Sequence, residues 1–136
     1  MKKFIIFFIS IISMVSVSAQ VQKYHVEAIK LGKGYQSSIQ WNNWSNPKSQ
    51  ASYVYIDKEH NRIWYQVDNE VVFTFYIRQR VSEQTKNNIK RVVWSTLSMD
   101  NDLVTMWHFT KMNQNKSALY IYYDSFGVCL GLNKLN

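Results

Sequence analysis

The sequence predicts an all-β fold: one small antiparallel meander of about eight or nine strands, curled into a closed or nearly closed barrel or split into a two-sheet sandwich. Three observations predict it. Aromatic and β-branched residues are abundant, whereas the chain holds only four glycines and one proline, a composition that suits pleated, half-buried surfaces. Alternating runs recur with turn signals between them, and no long segment spaces its apolar residues at helical intervals. The connections are short, so successive strands pair as neighbours and the meander can close, removing its edges.

Taken in order, residues 1–19 read as a secretory signal peptide: Lys2 and Lys3, an apolar run from Phe4 to Ile12, then small and polar residues ending in Val17-Ser18-Ala19. Residues 20–136 form the single β-domain. Lys23 to Leu31 alternates and ends at the turn Gly32-Lys33-Gly34. Tyr35 to Trp41 reads as the next strand, followed by a polar loop to Gln50 that contains Pro47. Ala51–Asp57 and Arg62–Val67 frame a hairpin, and Asp68-Asn69-Glu70 turns the chain into Val71–Arg78. Gln79 to Asn88 reads as an exposed mobile loop with room for a residue or two of helix after Val81. Lys90–Ser98, Leu103–Thr110, Ser117–Asp124 and a last strand at Val128–Leu132 complete the meander. By shape this is lipocalin-like or avidin-like geometry, an analogy that carries no function.

Composition narrows the function classes. Signal cleavage after Ala19 leaves 117 residues and lowers the formal charge from +7 to +5, with no membrane span, since the apolar run is short of the roughly 20 residues a spanning helix needs. The basic residues are spread along the chain, which with export argues against nucleic acid. The single cysteine, Cys129, permits no internal disulfide, and its strand-like neighbours mark it as a small buried apolar residue. No Gly-rich phosphate loop, G-x-S-x-G elbow or H-E-x-x-H motif is present. His25, His60 and His108 share no metal-ligand spacing, so no metal and no cofactor are expected. The Asp100/Asp102 and Asp57/Glu59 pairs sit in turns, where such residues bond to their own backbone. A Cys129–His108 dyad or a carboxylate pair is the remote enzymatic alternative; the expectation is a non-enzyme.

The positive feature is aromatic content: five tryptophans, nine tyrosines and seven phenylalanines. Alternation assigns faces. Val71, Phe73, Phe75 and Ile77 form one core stripe. Leu103, Trp107 and Phe109 lie opposite Val104, Met106 and His108, and Tyr120 and Tyr122 lie opposite Leu119, Ile121 and Tyr123. Strands apolar on both faces predict a second layer outside them or a partner surface. In "QWNNWSNP", a strand running through Asn43 would send Trp41 and Trp44 to opposite faces, whereas a turn at Asn42-Asn43 would let the rings converge. Alternation from Tyr35 favours Trp41 inside and Trp44 at the rim. The residues expected to meet a partner or ligand are Trp44, Trp64, Tyr76 and Trp94, with Arg78 and Arg80 beside them.

The W-x-x-W at Trp41 and Trp44, the run Tyr53 to Gln66 and the strand Ala118 to Asp124 resemble small exported β-rich proteins of Bacteroidota that have no assigned activity. The resemblance implies a Gram-negative exported protein, periplasmic or surface-released, and a structural hairpin framed by Asp57 and Asn61 with Ile56 and Ile63 entering the core. The functional expectation is a non-catalytic binding or interaction module of the bacterial envelope, met by another envelope protein or a glycan. The alternative is a small barrel carrying an apolar ligand inside.

Overall fold

A computed structural model describes residues 21–135; residues 1–19, expected to be a signal peptide, lie outside them. The described residues form nine antiparallel strands: β1 (Val21–Lys33), β2 (Gln40–Trp41), β3 (Ser52–Asp57), β4 (Arg62–Val67), β5 (Glu70–Lys86), β6 (Ile89–Ser98), β7 (Leu103–Lys111), β8 (Lys116–Tyr122) and β9 (Phe126–Lys134). Each pairs with the next in sequence from β3 to β9, and β1 pairs with both β3 and β9, which closes an eight-stranded barrel. Closure is possible because β1 is long. Its first residues, Val21 to His25, pair with β3, and Tyr24 to Lys33 pair with β9.

The tight turns use asparagine where glycine is scarce. Asp68 and Asn69 (φ 51° and 67°) join β4 to β5, and Asn87 and Asn88 (φ 54° and 63°) join β5 to β6. Two successive left-handed residues give the mirror-image turn whose twist matches the flanking strands, and Asn and Asp tolerate it better than other side chains.

That second turn corrects one expectation. Gln79 to Asn88 is no loop and holds no helix; β5 runs on through Lys86 and pairs with β6 as far as Ile89. Past Tyr76 it has left β4, so the rest of β5 forms a lip with one open edge, held on its other side by β6, which is itself paired with β7 as far as Lys111. Charges along this open edge, Arg78, Arg80, Glu83 and Lys86, discourage pairing with another chain. A second correction concerns Tyr35 to Trp41, of which only Gln40 and Trp41 are extended, against the far end of β1.

Inside, Val26, Val54, Ile56, Ile63, Phe75, Val104, Met106, Leu119, Ile121, Leu130 and Leu132 are fully buried and fill the barrel from wall to wall. Val71 is the exception to the expected stripe, at 55% exposed. A bulge at Val72, between the pairs Tyr65–Phe73 and Gln66–Val71, puts one extra residue into β5 and breaks the alternation there.

Outside, residues 34–51 fold back over the wall. Ser45 exchanges two backbone hydrogen bonds with Ile29, and the Gly34 amide (φ 111°) donates to the Ser125 carbonyl. This second layer rests on a glycine floor: a Cβ at Gly32 would stand 2.9 Å from both the Ile39 and Trp41 side chains, and one at Gly127 would stand 2.6 Å from Ile39. Gly32 pairs with Gly127 across β1 and β9. Trp41 is therefore enclosed, but by the outer face of the barrel and its covering loop, not by the interior.

Gly32 has an ordinary backbone conformation, so the Gly32→Ala substitution tests this seating alone. Overpacking of this kind costs about 1–3 kcal/mol. Urea unfolding should show a loss of that size together with a red shift of tryptophan emission; an unchanged midpoint would mean that the loop is not clamped here.

Candidate functional site

Because β7, β8 and β9 alternate with apolar residues on both sides, the outer wall carries its own aromatic layer. Trp107 on β7 is in register with Tyr120 on β8, which is in register with Cys129 on β9, which faces Lys30 on β1. Five rings touch in series. Phe109 meets Tyr120 edge-on at 5.6 Å between centroids, and Trp107 meets Tyr122 at 6.1 Å. Tyr120 and Tyr122 stack at 6.0 Å, and Trp41 caps both at 5.5 and 6.2 Å. Each such pair contributes about 0.5–1.5 kcal/mol beyond the area it buries.

Cations close the two ends of this layer. The Lys30 ammonium lies 4.5 Å from the Trp44 ring centre, 5.3 Å from Trp41 and 5.8 Å from Tyr120. Trp41 and Trp44 thus converge on one cation, as a turn at Asn42-Asn43 would have it. At the other end Arg91 lies 5.0 Å over Trp107 and donates from Nη2 to the Gln84 side chain at 2.7 Å. Arg91 Nε and Trp107 Nε1 are both buried and lack a hydrogen-bond acceptor. A donor left in that state costs about 1–3 kcal/mol.

Two hollows open beside the rings. One of about 320 Å³ is lined by Phe109, Tyr120, Ala118, Ile89, Lys111 and Lys116. Lys116 is tied to Glu27 at 2.5 Å. The other lies between Tyr35, Trp107 and Tyr122.

The expected contact residues do not form one patch. Trp44, 50% exposed, belongs to the outer aromatic layer. Trp64 sits on β4, stacked on Tyr55 at 4.9 Å beneath Arg62, part of a smaller separate cluster with Tyr53 and Lys23. Tyr76, 48% exposed, faces outward on β5 beside Arg62. Trp94 is a correction: it is 3% exposed and points into the barrel, because Val92, Trp94 and Thr96 take the inner side of β6 opposite Arg91 and Val93. Arg78 and Arg80 line the barrel mouth, where Trp94 forms part of the floor. The strongest outer rings, Trp107, Phe109, Tyr120 and Tyr122, are legible as the apolar reverse of β7 and β8, whereas Arg91 reaches them from β6.

The residues weighed for catalysis are held apart. His108 is inside, edge-on to Tyr24 at 5.5 Å and stacked on Trp94 at 6.0 Å, with Nε2 sharing a 3.2 Å hydrogen bond with Ser117 Oγ. Cys129 is on the outer side of β9, opposite Tyr120, so the barrel wall separates it from His108. Burial pushes its thiol up to about 11, against a smaller pull from the Tyr120 hydroxyl and Lys30. Asp57 is occupied in its own turn, accepting from the His60 amide at 3.2 Å and facing His60 Nδ1 at 2.8 Å. Ser98 Oγ accepts from the amides of Asp100 and Asp102. Among the described residues no three potential metal ligands cluster.

Compared with family models, curated proteins and solved structures, the chain matches none. Its site is therefore read from its own geometry.

His108 gives a pH signature. Burial, with smaller contributions from Lys58, Lys90 and Lys134, lowers its imidazole from 6.5 to about 3. Between those values the unfolded chain binds a proton that the folded chain refuses. Stability is fully present above pH 6.5 and falls as pH drops toward 3, by about 1.4 kcal/mol per pH unit for one such group. Urea unfolding between pH 4 and pH 7.5 should show this slope in the parent protein and its loss in a His108→Leu variant; equal slopes would contradict a neutral buried imidazole. In the same native state Cys129 should resist iodoacetamide at pH 8 and react only on unfolding.

Proposed function

We propose that this protein is an exported, non-catalytic binding module of a Gram-negative envelope, and that its outer face takes an acidic saccharide. The observation that carries the reading is the ring layer from Trp41 to Phe109, flanked by Lys30, Arg91, Lys111 and Lys116. Aromatic faces accept the C–H faces of sugar rings. Arginine forks and lysines donate hydrogen bonds to carboxylates, and Arg91 reaches the rings from β6 with its guanidinium over Trp107. A hollow of about 320 Å³ lies at the low end of the usual range for small-ligand sites.

Support for export is the form of residues 1–19, and the resemblance to Bacteroidota exported proteins points the same way. Support for a binding role without catalysis is the separation of His108 from Cys129 and the raised thiol. The carrier alternative needs a hollow interior, and the barrel is filled by Phe75, Met106, Leu119 and their neighbours. An envelope protein as partner is the other outcome of the same test.

Titration calorimetry with an oligogalacturonate and with a neutral malto-oligosaccharide of equal length separates these readings. The acidic sugar should bind with an affinity that falls as salt rises, and Phe109→Ala and Arg91→Ala should each weaken it at least tenfold. Equal binding of the neutral sugar, or no saccharide binding while an envelope protein is captured by the same face, would overturn the assignment.

A further inference from the structure

The barrel has a second feature that the outer face does not use. At the mouth beneath the β5–β6 lip is a cleft of about 330 Å³, lined by Lys58, Arg78, Arg80, Glu83, Val92 and Trp94. Two bulges build it. β5 gains one extra residue between Ile77 and Gln79 and another between Arg80 and Ser82. Unbroken alternation from Phe75 and Ile77 would put Gln79 and Val81 on the inner side. The bulges instead set Arg80 opposite Trp94 and Glu83 opposite Val92, and they leave Val81 58% exposed. Bulges that re-aim side chains in this way concentrate at barrel rims and beside functional sites.

The result is a concentration of positive charge. Among the described residues Glu83 is the one carboxylate lining the cleft, and it is shared by Lys90 at 2.9 Å and Arg80 at 3.1 Å. Lys58 and Arg78 are further cations of the same wall. Lys58 feels the excess: partial loss of solvent, then the charges of Lys90, Lys134 and Arg80, lower its ammonium, and Glu83 opposes them. The field reaches the floor as well, since Lys58, Lys90 and Lys134 all add to the burial that keeps His108 neutral. The floor is apolar, made by Ile77 with the edges of the buried Val92 and Trp94.

We infer that the barrel mouth is a binding site for a small amphipathic organic anion, its acidic group held by Lys58 and Arg78 and its apolar body set against Ile77, Val92 and the edge of Trp94. This site is on the inner side of β5 and β6, whereas the saccharide face is on the outer side of β7 and β8, so either can fail without the other. Glu83, paired with Lys90 and Arg80 in the same cleft, opposes the ligand's acidic group by its like charge and offsets the positive field that attracts it. Its removal therefore strengthens binding, an effect opposite to that expected for a residue with a purely structural role.

The probe is 1-anilinonaphthalene-8-sulfonate, with uncharged N-phenyl-1-naphthylamine as its control, followed by fluorescence titration of the folded protein. The sulfonate should bind with one-to-one stoichiometry and at least tenfold more tightly than the neutral amine. Lys58→Gln with Arg78→Gln should weaken it at least tenfold, and Glu83→Gln should tighten it severalfold. The inference is overturned if Glu83→Gln leaves affinity unchanged or lowers it, if the neutral amine binds equally well, or if Phe109→Ala on the outer face abolishes the signal.

Discussion

The structure depends on how one barrel wall buries two apolar faces. A closed sheet covers its inner side chains by closing, but nothing in closure covers the outer side of β7, β8 and β9, where Trp107, Phe109, Tyr120 and Tyr122 stand. The chain meets part of that demand with its own connection between β1 and β3. Gly32 and Gly127 leave a shallow floor, Ile39 and Trp41 occupy it, and Trp44 comes to rest 3.7 Å from where a Gly131 side chain would begin. The Lys30 ammonium, placed among three rings, fastens the layer from within. Where the connection ends, the ring layer continues uncovered toward Arg91, and that remainder is the surface available to a ligand.

The same division sorts the chemistry. Groups on the inner side are sealed: Thr96 donates to the Val104 carbonyl at 2.8 Å, Tyr24 to Gln22 at 2.9 Å, and His108 is kept neutral by burial. Groups on the outer side are half-buried and include the two unpaired donors. A filled interior makes the barrel a rigid support for its surfaces. Only the mouth, where β5 leaves β4 and the bulges turn charge inward, gives limited access to the inner side.

Much of the fold was legible because β3, β4, β7, β8 and β9 keep strict alternation and are bounded by Asn, Asp and Gly. Arg62–Val67 emerges with the bounds read from sequence. Alternation also separated the two faces of β7 correctly, and with them the demand for a second layer. It failed wherever a strand gained a residue: nothing in Val71-Val72-Phe73 or Arg78 to Ser82 announces a bulge, so Val71 was assigned to the core and Arg80 and Glu83 to a loop. The polar run Gln79 to Asn88 misled for a related reason. An edge strand paired on one side only buries little, so β5 beyond Tyr76 has the composition of a loop while its backbone is paired, and the signal for a hairpin is the Asn87-Asn88 turn. Trp94, expected to meet a partner, shares its side of β6 with Val92 and Thr96 and is buried with them.

The proposed saccharide site lies on the outside of the wall, with Trp107 at its centre and Trp94 on the opposite side of the sheet. The five tryptophans each give one indole N–H resonance, so a single nuclear magnetic resonance titration with oligogalacturonate reports every candidate surface at once. The account requires the Trp107 signal to move most, with Trp41 following, while Trp94 and Trp64 stay in place. Movement confined to Trp94 or Trp64, or no movement at saturating sugar, would contradict it.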